Sequence, residues 1–438
     1  MRDSIGIKGE FGEASPALSL RSLFAATLGN MLEFYDFITF SFFAIHIGRA
    51  FFPFESHYAS LMLSLATFGA GFITRPIGAL VIGSYSDRAG RRPAMVLSFA
   101  MMGGAIIVLA LTPPYDTIGI AAPMLAIAAR LVQGFSLGGE VGPTTAYLLE
   151  AAPMSRRGLA VAWQPASQQI AATVGSLVGL ILSIVMAPEA LKAYGWRIAF
   201  LIGALTLPLG LWIRGNLPET IHLHETGQSA ARHQDRRRAV QANIRVMALG
   251  LLIVASGTII TYVTQYMTTY AENTLHVAPH LAFATTVIAN AAGIVAALCG
   301  GWLADHLGRR AMMIWPQFVA LVMTLPIFLW IVEARSAAAL LIGLGILSLI
   351  NTLPYTAFYA AFAETLPKNI RGSAFATIYA LAVTSFGGTA QLVVTWLIHV
   401  TDNALAPAWY MLLATFAGLV AMMMMRETAP RKLRVMGS

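Results

Sequence analysis

The sequence predicts an all-α membrane protein whose twelve transmembrane helices form two pseudo-symmetric six-helix halves. The chain is 57% hydrophobic and only 11% charged, whereas soluble domains carry about 25% charged residues. Many of its apolar runs are about 20 residues long, which is the length that a helix needs to cross the hydrocarbon core of a bilayer. Two charged phrases also occur twice, nearly half a chain apart.

The two repeated phrases predict that the halves arose by duplication. The segment 83–92, GSYSDRAGRR, returns at 301–310 as GWLADHLGRR, an offset of 218 residues (305 − 87). The segment 150–160 returns at 364–374 with the same Glu, Pro, Arg, Gly and Ala positions, an offset of 214 residues (364 − 150). Two unrelated phrases with nearly one offset indicate an internal repeat.

Short polar segments divide the chain into predicted membrane spans and the connections between them. The predicted spans 1 to 12 cover 22–48, 58–86, 93–112, 118–150, 159–186, 197–214, 245–272, 279–304, 311–332, 337–364, 372–399 and 405–425. The predicted organisation is a cytoplasmic tail 1–21, a six-helix half 22–214, a basic cytoplasmic linker 215–244, a second six-helix half 245–425 and a cytoplasmic tail 426–438.

The distribution of basic residues predicts the orientation in the membrane. If the N-terminus lies inside, the inner segments and the span ends that adjoin them hold 22 Lys and Arg, and the outer segments and their adjoining span ends hold 4. Positive charge accumulates on the cytoplasmic side, so both termini are expected in the cytoplasm of a bacterial inner membrane. The net charge of +8 therefore reflects contact with the lipid bilayer, and nucleic acid is not an expected partner.

Five ionisable residues fall deep inside predicted spans of the first half, and the second half has no comparable group. An ionisable side chain in mid-membrane is costly unless it is paired or hydrated, so each is a functional candidate. They are Glu33 and Asp36 in span 1, Arg75 in span 2, and Arg130 and Glu140 in span 4.

Several phrases resemble a known family. The twice-repeated phrase of 83–92 is similar to the cytoplasmic signature of the major facilitator superfamily, although His306 replaces an arginine in its second copy. GNMLEFYDF at 29–37 and RLVQGFSLGGE at 130–140 resemble its metabolite:proton symporter family, and WQPASQQ at 163–169 resembles the citrate and tricarballylate branch. The resemblance implies the major facilitator fold and proton-coupled uptake of a small organic anion, citrate or a related tricarboxylate, by a monomer with alternating access.

The intramembrane charges are interpreted as the proton-coupling group. Proton-coupled sugar porters, which are more distant relatives, keep an acid in span 1 and an arginine in span 4, so Asp36 is the expected proton carrier and Arg130 its switching partner. Glu33 lies one helical turn from Asp36 and could share its proton. Glu140 completes the predicted group, and a purely structural buried pair is the alternative.

The predicted substrate site combines cations with hydrogen-bonding groups. A multivalent carboxylate favours bidentate arginines and several donors. The candidates are Arg130 and Arg75, Gln164 and Gln168 in span 5, Tyr262, Gln265 and Tyr266 in span 7, Asn351 and Tyr355 in span 10, and Gln391 in span 11.

The repeated acids and arginines at inner helix ends predict a conformational latch, that is, a set of charge contacts that holds one conformation until the halves move. The expected pairs include Glu150 with Arg157 and Glu364 with Arg371. The predicted latch residues are Asp87, Arg88, Arg91, Glu150, Arg157, Asp305, Arg309, Glu364 and Arg371.

Catalysis is not expected. The GFSLG segment at 134–138 matches the nucleophile elbow of hydrolases, but that motif needs a strand–turn–helix context, and here its glycines favour close helix approach. HExxH, paired CxxC and phosphate-binding motifs do not occur, so neither a metal nor a cofactor is expected. The alternatives left open are a symporter of a dicarboxylate, a shikimate-like acid or a zwitterionic osmolyte, a proton-driven exporter, and a non-transporting membrane receptor.

Overall fold

The computed structural model describes residues 20–89, 91–137, 141–205, 207–208, 211 and 238–429. It confirms the predicted all-α class: helices lie at the positions of all twelve predicted spans, and the described residues contain no strand. Among those residues, eight helices are long and apolar enough to cross a membrane, and 96–111 and 121–136 form two shorter apolar helices. The predicted domain boundaries stay predictions.

The helices of the first half are often interrupted. Their bounds are Leu20–Phe42 and Ala44–Phe51 (span 1), His57–Ile73 and Arg75–Ala89 (span 2), Arg91–Leu111 (span 3), Ala121–Ser136 and Val141–Ala151 (span 4), Arg157–Val185 (span 5) and Trp196–Ala204 (span 6). Shorter helices cover Tyr115–Ile118, Met154–Arg156, Pro188–Ala190 and Leu191–Gly195. Span 2 breaks at Thr74 beside Pro76, which has no N–H for the helix ladder, and the Thr74 hydroxyl donates to the Leu131 carbonyl of span 4 at 2.7 Å.

The helices of the second half are longer. Their bounds are Ile244–Asn273 (span 7), Pro279–Leu307 (span 8), Arg309–Ala334 (span 9), Ala337–Thr365 (span 10), Lys368–Ala382, Val383–Gly387 and Gly388–Thr401 (span 11), and Ala406–Met423 (span 12). Only the single residue Gly308, at φ 99°, separates spans 8 and 9. A positive φ of this size favours glycine, so the sharp reversal in the repeated phrase depends on this residue.

Small residues allow the helices to approach closely. A Cβ atom on Gly134 of span 4 would collide with the Gly71 carbonyl oxygen of span 2, which confirms the close approach predicted from the glycine spacing. Between the halves, a Cβ on Gly158 would lie 2.6 Å from the Gly301 carbonyl oxygen, and a Cβ on Gly69 would lie 2.6 Å from that of Gly388. The halves therefore meet backbone to backbone along spans 5 and 8 and along spans 2 and 11.

Candidate functional site

A cavity of about 100 Å³ lies between the two halves. Residues of spans 1, 5, 7, 10 and 11 form its wall, and most of the polar ones carry hydroxyl or amide groups. They include Gln168, Gln169, Thr258, Thr261, Tyr262, Thr264, Gln265, Ser348, Asn351, Thr352, Tyr355, Thr356, Tyr359 and Tyr379. Because sites for small molecules usually measure about 300–1,000 Å³, the helices must separate before a substrate fits.

The two halves contact each other at the two ends of the bundle. We call the end that carries Glu150 and Asp305 the inner end, following the orientation predicted from the basic residues. There Arg371 donates to Glu150 at 3.0 Å. At the outer end, the rings of Tyr58 and His399 stack with centroids 3.8 Å apart. The two halves thus contact each other at both ends of the bundle.

Five of the predicted substrate residues line the cavity, namely Gln168, Tyr262, Gln265, Asn351 and Tyr355. The Gln168 amide donates to the Tyr379 hydroxyl at 3.4 Å. Gln265 donates to Asn290 at 2.9 Å. The Tyr355 hydroxyl is bonded to Ser256 at 2.7 Å and accepts from Gln317 at 3.1 Å. Asn351 donates to the carbonyl of its own helix, and its side-chain oxygen has no partner.

The other predicted substrate residues lie behind the cavity wall. Gln164 is fully buried and neither side-chain polar atom has a partner. The Tyr266 hydroxyl accepts from Thr395 at 2.9 Å. Gln391 donates to Ser41 of span 1 at 2.6 Å. The structure therefore divides the predicted set into a cavity layer and a layer behind it that also includes Arg75 and Arg130.

The buried charges meet on the side of the first half, where spans 1, 2 and 4 pack together. Asp36 and Arg130 are both 0% exposed. They lie close enough for a Coulombic interaction, yet neither carboxylate oxygen of Asp36 has a hydrogen-bond partner. Arg130 instead donates to the Gln133 side chain at 2.6 Å, while its Nε and second terminal nitrogen have no partner.

Aromatic rings surround both buried guanidinium groups. The Arg130 guanidinium carbon lies 4.3 Å from the Phe37 ring centroid and 4.6 Å from that of Phe40. The corresponding Arg75 carbon lies 4.4 Å from Phe37 and 4.2 Å from Phe72. Each such contact stabilises a cation by about 0.5–2 kcal/mol. These rings accommodate two positive charges that form no ion pair among the described residues.

Tyr262 connects the arginine pair to the cavity. Its ring contacts Phe72 with centroids 5.4 Å apart, and its hydroxyl lies next to the Arg75 guanidinium. Since Tyr262 belongs to span 7 and also lines the cavity, it stands between the cavity and the cations of the first half.

Some predicted residues fall outside the described part of the molecule. Glu140 lies in the undescribed segment 138–140, and the side chains of Glu33, Asp87, Arg88 and Arg91 are also outside the described set. Their predicted roles in proton coupling and in the latch stay predictions.

The latch residues that the structure describes form different pairs from those expected. Glu150 binds Arg371 of the other half at 3.0 Å, whereas Arg157 has an unpartnered Nε. Glu364 binds Arg309 at 3.1 Å. The expected pairings of Glu150 with Arg157 and of Glu364 with Arg371 are therefore wrong. The reason is tertiary, since the start of span 11 packs against the inner part of span 4.

Asp305 makes the second connection between the halves at the inner end. Its carboxylate accepts from the backbone N–H groups of Gly158 at 2.8 Å and Leu159 at 3.0 Å, in the first turn of span 5. It also binds Arg309 at 2.8 Å. A carboxylate at a helix N-terminus satisfies otherwise unpaired N–H groups and complements the helix dipole.

Sequence reasoning missed several neighbours of these groups. Gln133 follows Arg130 by three residues, a spacing that puts both side chains on one helix face, so a search around Arg130 could have found it. Gln169 adjoins Gln168 and also lines the cavity. Phe37 ends the family-like segment 29–37, but nothing in the sequence indicates that its ring contacts both arginines. Tyr379 carries no signal that separates it from other aromatic residues. Among the described residues, no group of three or more His, Cys, Asp or Glu side chains could hold a metal ion.

Comparisons with known proteins agree with the resemblance seen in the repeated phrases. The sequence model of the Major Facilitator Superfamily matches residues 26–390. The chain is 36% identical to the citrate-proton symporter of Salmonella typhi over 94% of its length and 96% of the relative's. It is 32% identical to the alpha-ketoglutarate permease of Escherichia coli (strain K12), over 93% and 94% of the two chains. In fold it is similar to the crystal structure of a D-xylose-proton symporter, with a TM-score of 0.74, 18% identity, and 93% and 97% of the chains covered.

Proposed function

This chain belongs to the Major Facilitator Superfamily, and we propose that it is a secondary active transporter that takes up citrate or a related tricarboxylate together with protons. It would act by alternating access, as a monomer in the bacterial inner membrane with both termini in the cytoplasm. One observation carries the proposal: Asp36 and Arg130 are fully buried close to each other without a direct hydrogen bond.

The buried cations support an anionic substrate. Arg130 has five N–H donors and, among the residues that the structure describes, one acceptor, the neutral Gln133 side chain. Arg75 is only 7% exposed and stacks on aromatic rings. An arginine in a low-dielectric site binds a carboxylate bidentately and strongly. Two such groups behind Tyr262 suit a substrate with more than one carboxylate.

The neighbouring acid supports coupling to protons. A buried carboxylate without hydrogen bonds is unfavourable in its charged form, so an unpartnered Asp36 is suited to carry a proton while Arg130 is turned away. A substrate carboxylate that binds Arg130 prevents its return to Asp36. Proton and anion therefore favour the same state, and this differential affinity is what lets ligands shift a conformational equilibrium.

The inner contacts provide the moving part of the proposed cycle. With proton and anion bound, the halves rock, the bonds of Asp305 to span 5 and of Arg371 to Glu150 break, and both ligands leave inwards. Those contacts re-form when the empty carrier returns. Loss of the Asp36 proton to the cytoplasm would let Arg130 pair with the carboxylate and release the anion.

We prefer citrate over the alternative substrates because of the chemistry of the cavity wall and because this chain is similar to a citrate-proton symporter. The cavity wall supplies many hydroxyl and amide groups and no charged side chain, which suits a hydroxylated polyanion whose carboxylates reach Arg75 and Arg130. The similarity to an alpha-ketoglutarate permease keeps a dicarboxylate as the second candidate. Net export under an inward proton gradient, or binding of citrate without transport, would favour the exporter or the receptor.

The deciding experiment measures radiolabelled citrate and alpha-ketoglutarate uptake into proteoliposomes with an imposed inward proton gradient. We expect citrate to accumulate and a protonophore to abolish accumulation. Uptake that is unchanged by the protonophore excludes proton symport. Accumulation of alpha-ketoglutarate alone would replace the tricarboxylate by a dicarboxylate.

Replacement of the proposed proton carrier separates driven uptake from exchange. In Asp36→Asn, proton-driven accumulation of citrate should be lost, while counterflow exchange across equal pH should survive, because the neutral amide mimics the protonated carboxyl group. Asp116→Asn, at an acid of the short helix between spans 3 and 4, is the matched control. Persistent accumulation in the Asp36 variant would remove this residue from proton coupling.

Replacement of the proposed anion ligand tests the geometry of the guanidinium group. Arg130→Lys keeps the charge but loses the planar fork, and we expect citrate binding to weaken by at least about tenfold, which corresponds to about 1.4 kcal/mol. Binding can be followed by isothermal titration calorimetry. The exposed Arg335→Lys is the control, and near-wild-type affinity in Arg130→Lys would exclude Arg130 from the substrate site.

A further inference from the structure

Gln133 accepts a hydrogen bond from Arg130 in this conformation. Its side-chain oxygen accepts from an Arg130 terminal nitrogen at 2.6 Å. Gln133 is 0% exposed, and its side-chain nitrogen has no hydrogen-bond partner. The contact with Arg130 is thus its one side-chain hydrogen bond among the described residues, which is unusual for a buried amide with four bonding positions.

Asp36 and Gln133 are competing acceptors for the same guanidinium group. Asp36 lies close to Arg130 but has no hydrogen bond on either oxygen. A carboxylate is a much stronger acceptor for arginine than a neutral amide. The observed arrangement is therefore favourable when Asp36 is neutral and unfavourable when it is ionised.

We propose that Gln133 is a positioning residue that holds Arg130 away from Asp36 in the proton-loaded state. This inference rests on the proposed function, since it describes how the same pair separates. The neutral amide binds the guanidinium weakly enough to give it up to a substrate carboxylate or to ionised Asp36. Gln133 thereby gives Arg130 a second resting position with no extra charge in the membrane.

Other charged and titratable groups face this pair from the surrounding helices. Arg75 of span 2 and Tyr262 of span 7 both interact electrostatically with Arg130. Asp36 itself comes from span 1. The Glu33 side chain of span 1 and Glu140 of span 4 lie outside the described residues. The test must therefore read the protonation of Asp36 directly.

Infrared difference spectroscopy of the full-length protein in lipid provides that readout. The carboxyl band of protonated Asp36 is followed as pH rises, and Asp36→Asn assigns the band. In Gln133→Met, which keeps the volume but removes the acceptor, Arg130 should pair with Asp36, and the band should vanish at a pH about one to three units lower than in the wild type. An equal or higher midpoint overturns the proposal, as does a wild-type protein without this band at any pH.

The isosteric Gln133→Glu has the opposite effect, because it strengthens the acceptor for Arg130 instead of removing it. This variant also tests the proposal if Gln133→Met does not fold. A carboxylate at this position should hold Arg130 permanently, so the Asp36 band should persist to at least the wild-type pH. Citrate affinity should fall at least about tenfold, because substrate must now displace a charged partner. Wild-type affinity together with a lowered midpoint in this variant contradicts the proposal.

Transport separates a positioning role from a structural one. In Gln133→Met, the KM for citrate should rise about tenfold at neutral pH and return towards the wild-type value as the outer pH falls, because protonation of Asp36 frees Arg130. A pH-independent KM defect indicates a merely structural residue. If the wild type itself takes up no citrate, the proposed function fails, whereas the infrared comparison still decides the role of Gln133.

Discussion

The contact of Asp305 with span 5 allows the latch to be tested quantitatively. Its carboxylate accepts two backbone N–H groups of the other half, those of Gly158 and Leu159. These bonds exist while the inner end is closed and break when the ends of spans 5 and 8 separate. Asp305→Asn should therefore favour the conformation that is open to the inside.

The size of this shift follows from the bonds that the amide cannot make. Asparagine keeps one acceptor oxygen but turns an NH₂ donor towards the second N–H group. Loss of one charge-assisted hydrogen bond costs about 2 kcal/mol in the closed state. That corresponds to an about 30-fold larger population of the open state. Arg309 keeps its bonds to Glu364 at 3.1 and 3.3 Å, so the local fold should survive.

The assay measures how often the inner end opens. Val161 of span 5 is 0% exposed and packs against apolar residues of the second half. Val161→Cys, in a Cys299→Ser background, places one thiol in that buried layer. Labelling by a membrane-impermeant maleimide in inside-out vesicles should be about 30-fold faster with Asp305→Asn, if the rate follows the open population.

An unchanged labelling rate would refute the reasoning that the Asp305 carboxylate closes the inner end. The control variant is Asp402→Asn, at an exposed residue beyond span 11, for which the rate should not change. A faster rate in both variants would indicate general loosening of the bundle, and thermal melting of each protein distinguishes that case. The same measurement with citrate and low pH should show whether the ligands act through this latch.

Two further changes test packing and the cavity wall. Gly134→Ala should lower the melting temperature and the yield of folded protein, because its methyl group would meet the Gly71 backbone oxygen and overpacking costs about 1–3 kcal/mol. Gly104→Ala, where a Cβ has no atom within 4 Å, should leave melting unchanged; equal melting of both variants would refute the close approach. Tyr355→Phe should lower the unfolding free energy by about 1 kcal/mol, because the bonds of the hydroxyl to Ser256 and Gln317 are lost, and thermal melting in mild detergent should detect the change. A more stable variant would mean that this hydroxyl is poorly satisfied in the protein.

The fold class could be predicted because membrane insertion imposes a simple rule on the sequence. Only helices of sufficient length satisfy their own backbone in lipid, so apolar runs of about 20 residues predict spans directly. The duplicated phrases predict the two-half organisation independently of any pairing between helices. The burial of Asp36 and Arg130 could also be predicted, since ionisable residues within apolar spans face the interior of the bundle.

The side-chain contacts between different helices could not be predicted in the same way. The repeated phrases suggested that Glu150 pairs with Arg157 nearby, yet the start of span 11 brings Arg371 to it. Tyr262 and Tyr266 of span 7 were both predicted to bind substrate, but Tyr262 lines the cavity whereas Tyr266 bonds to Thr395 behind it. Helix spacing defines a face, and only the neighbouring helix determines what that face contacts.

The sequence by itself therefore determined that this chain is a helical membrane bundle of two related halves with charges buried in the first. The tertiary structure decided that Arg130 rests on Gln133, that Asp36 is left without a hydrogen bond, and that Tyr262 separates the arginines from the cavity. The physical reason is the distance along the chain over which each kind of interaction acts. Hydrophobicity and helix periodicity act along the chain, whereas hydrogen bonds between spans depend on how the helices are arranged in space.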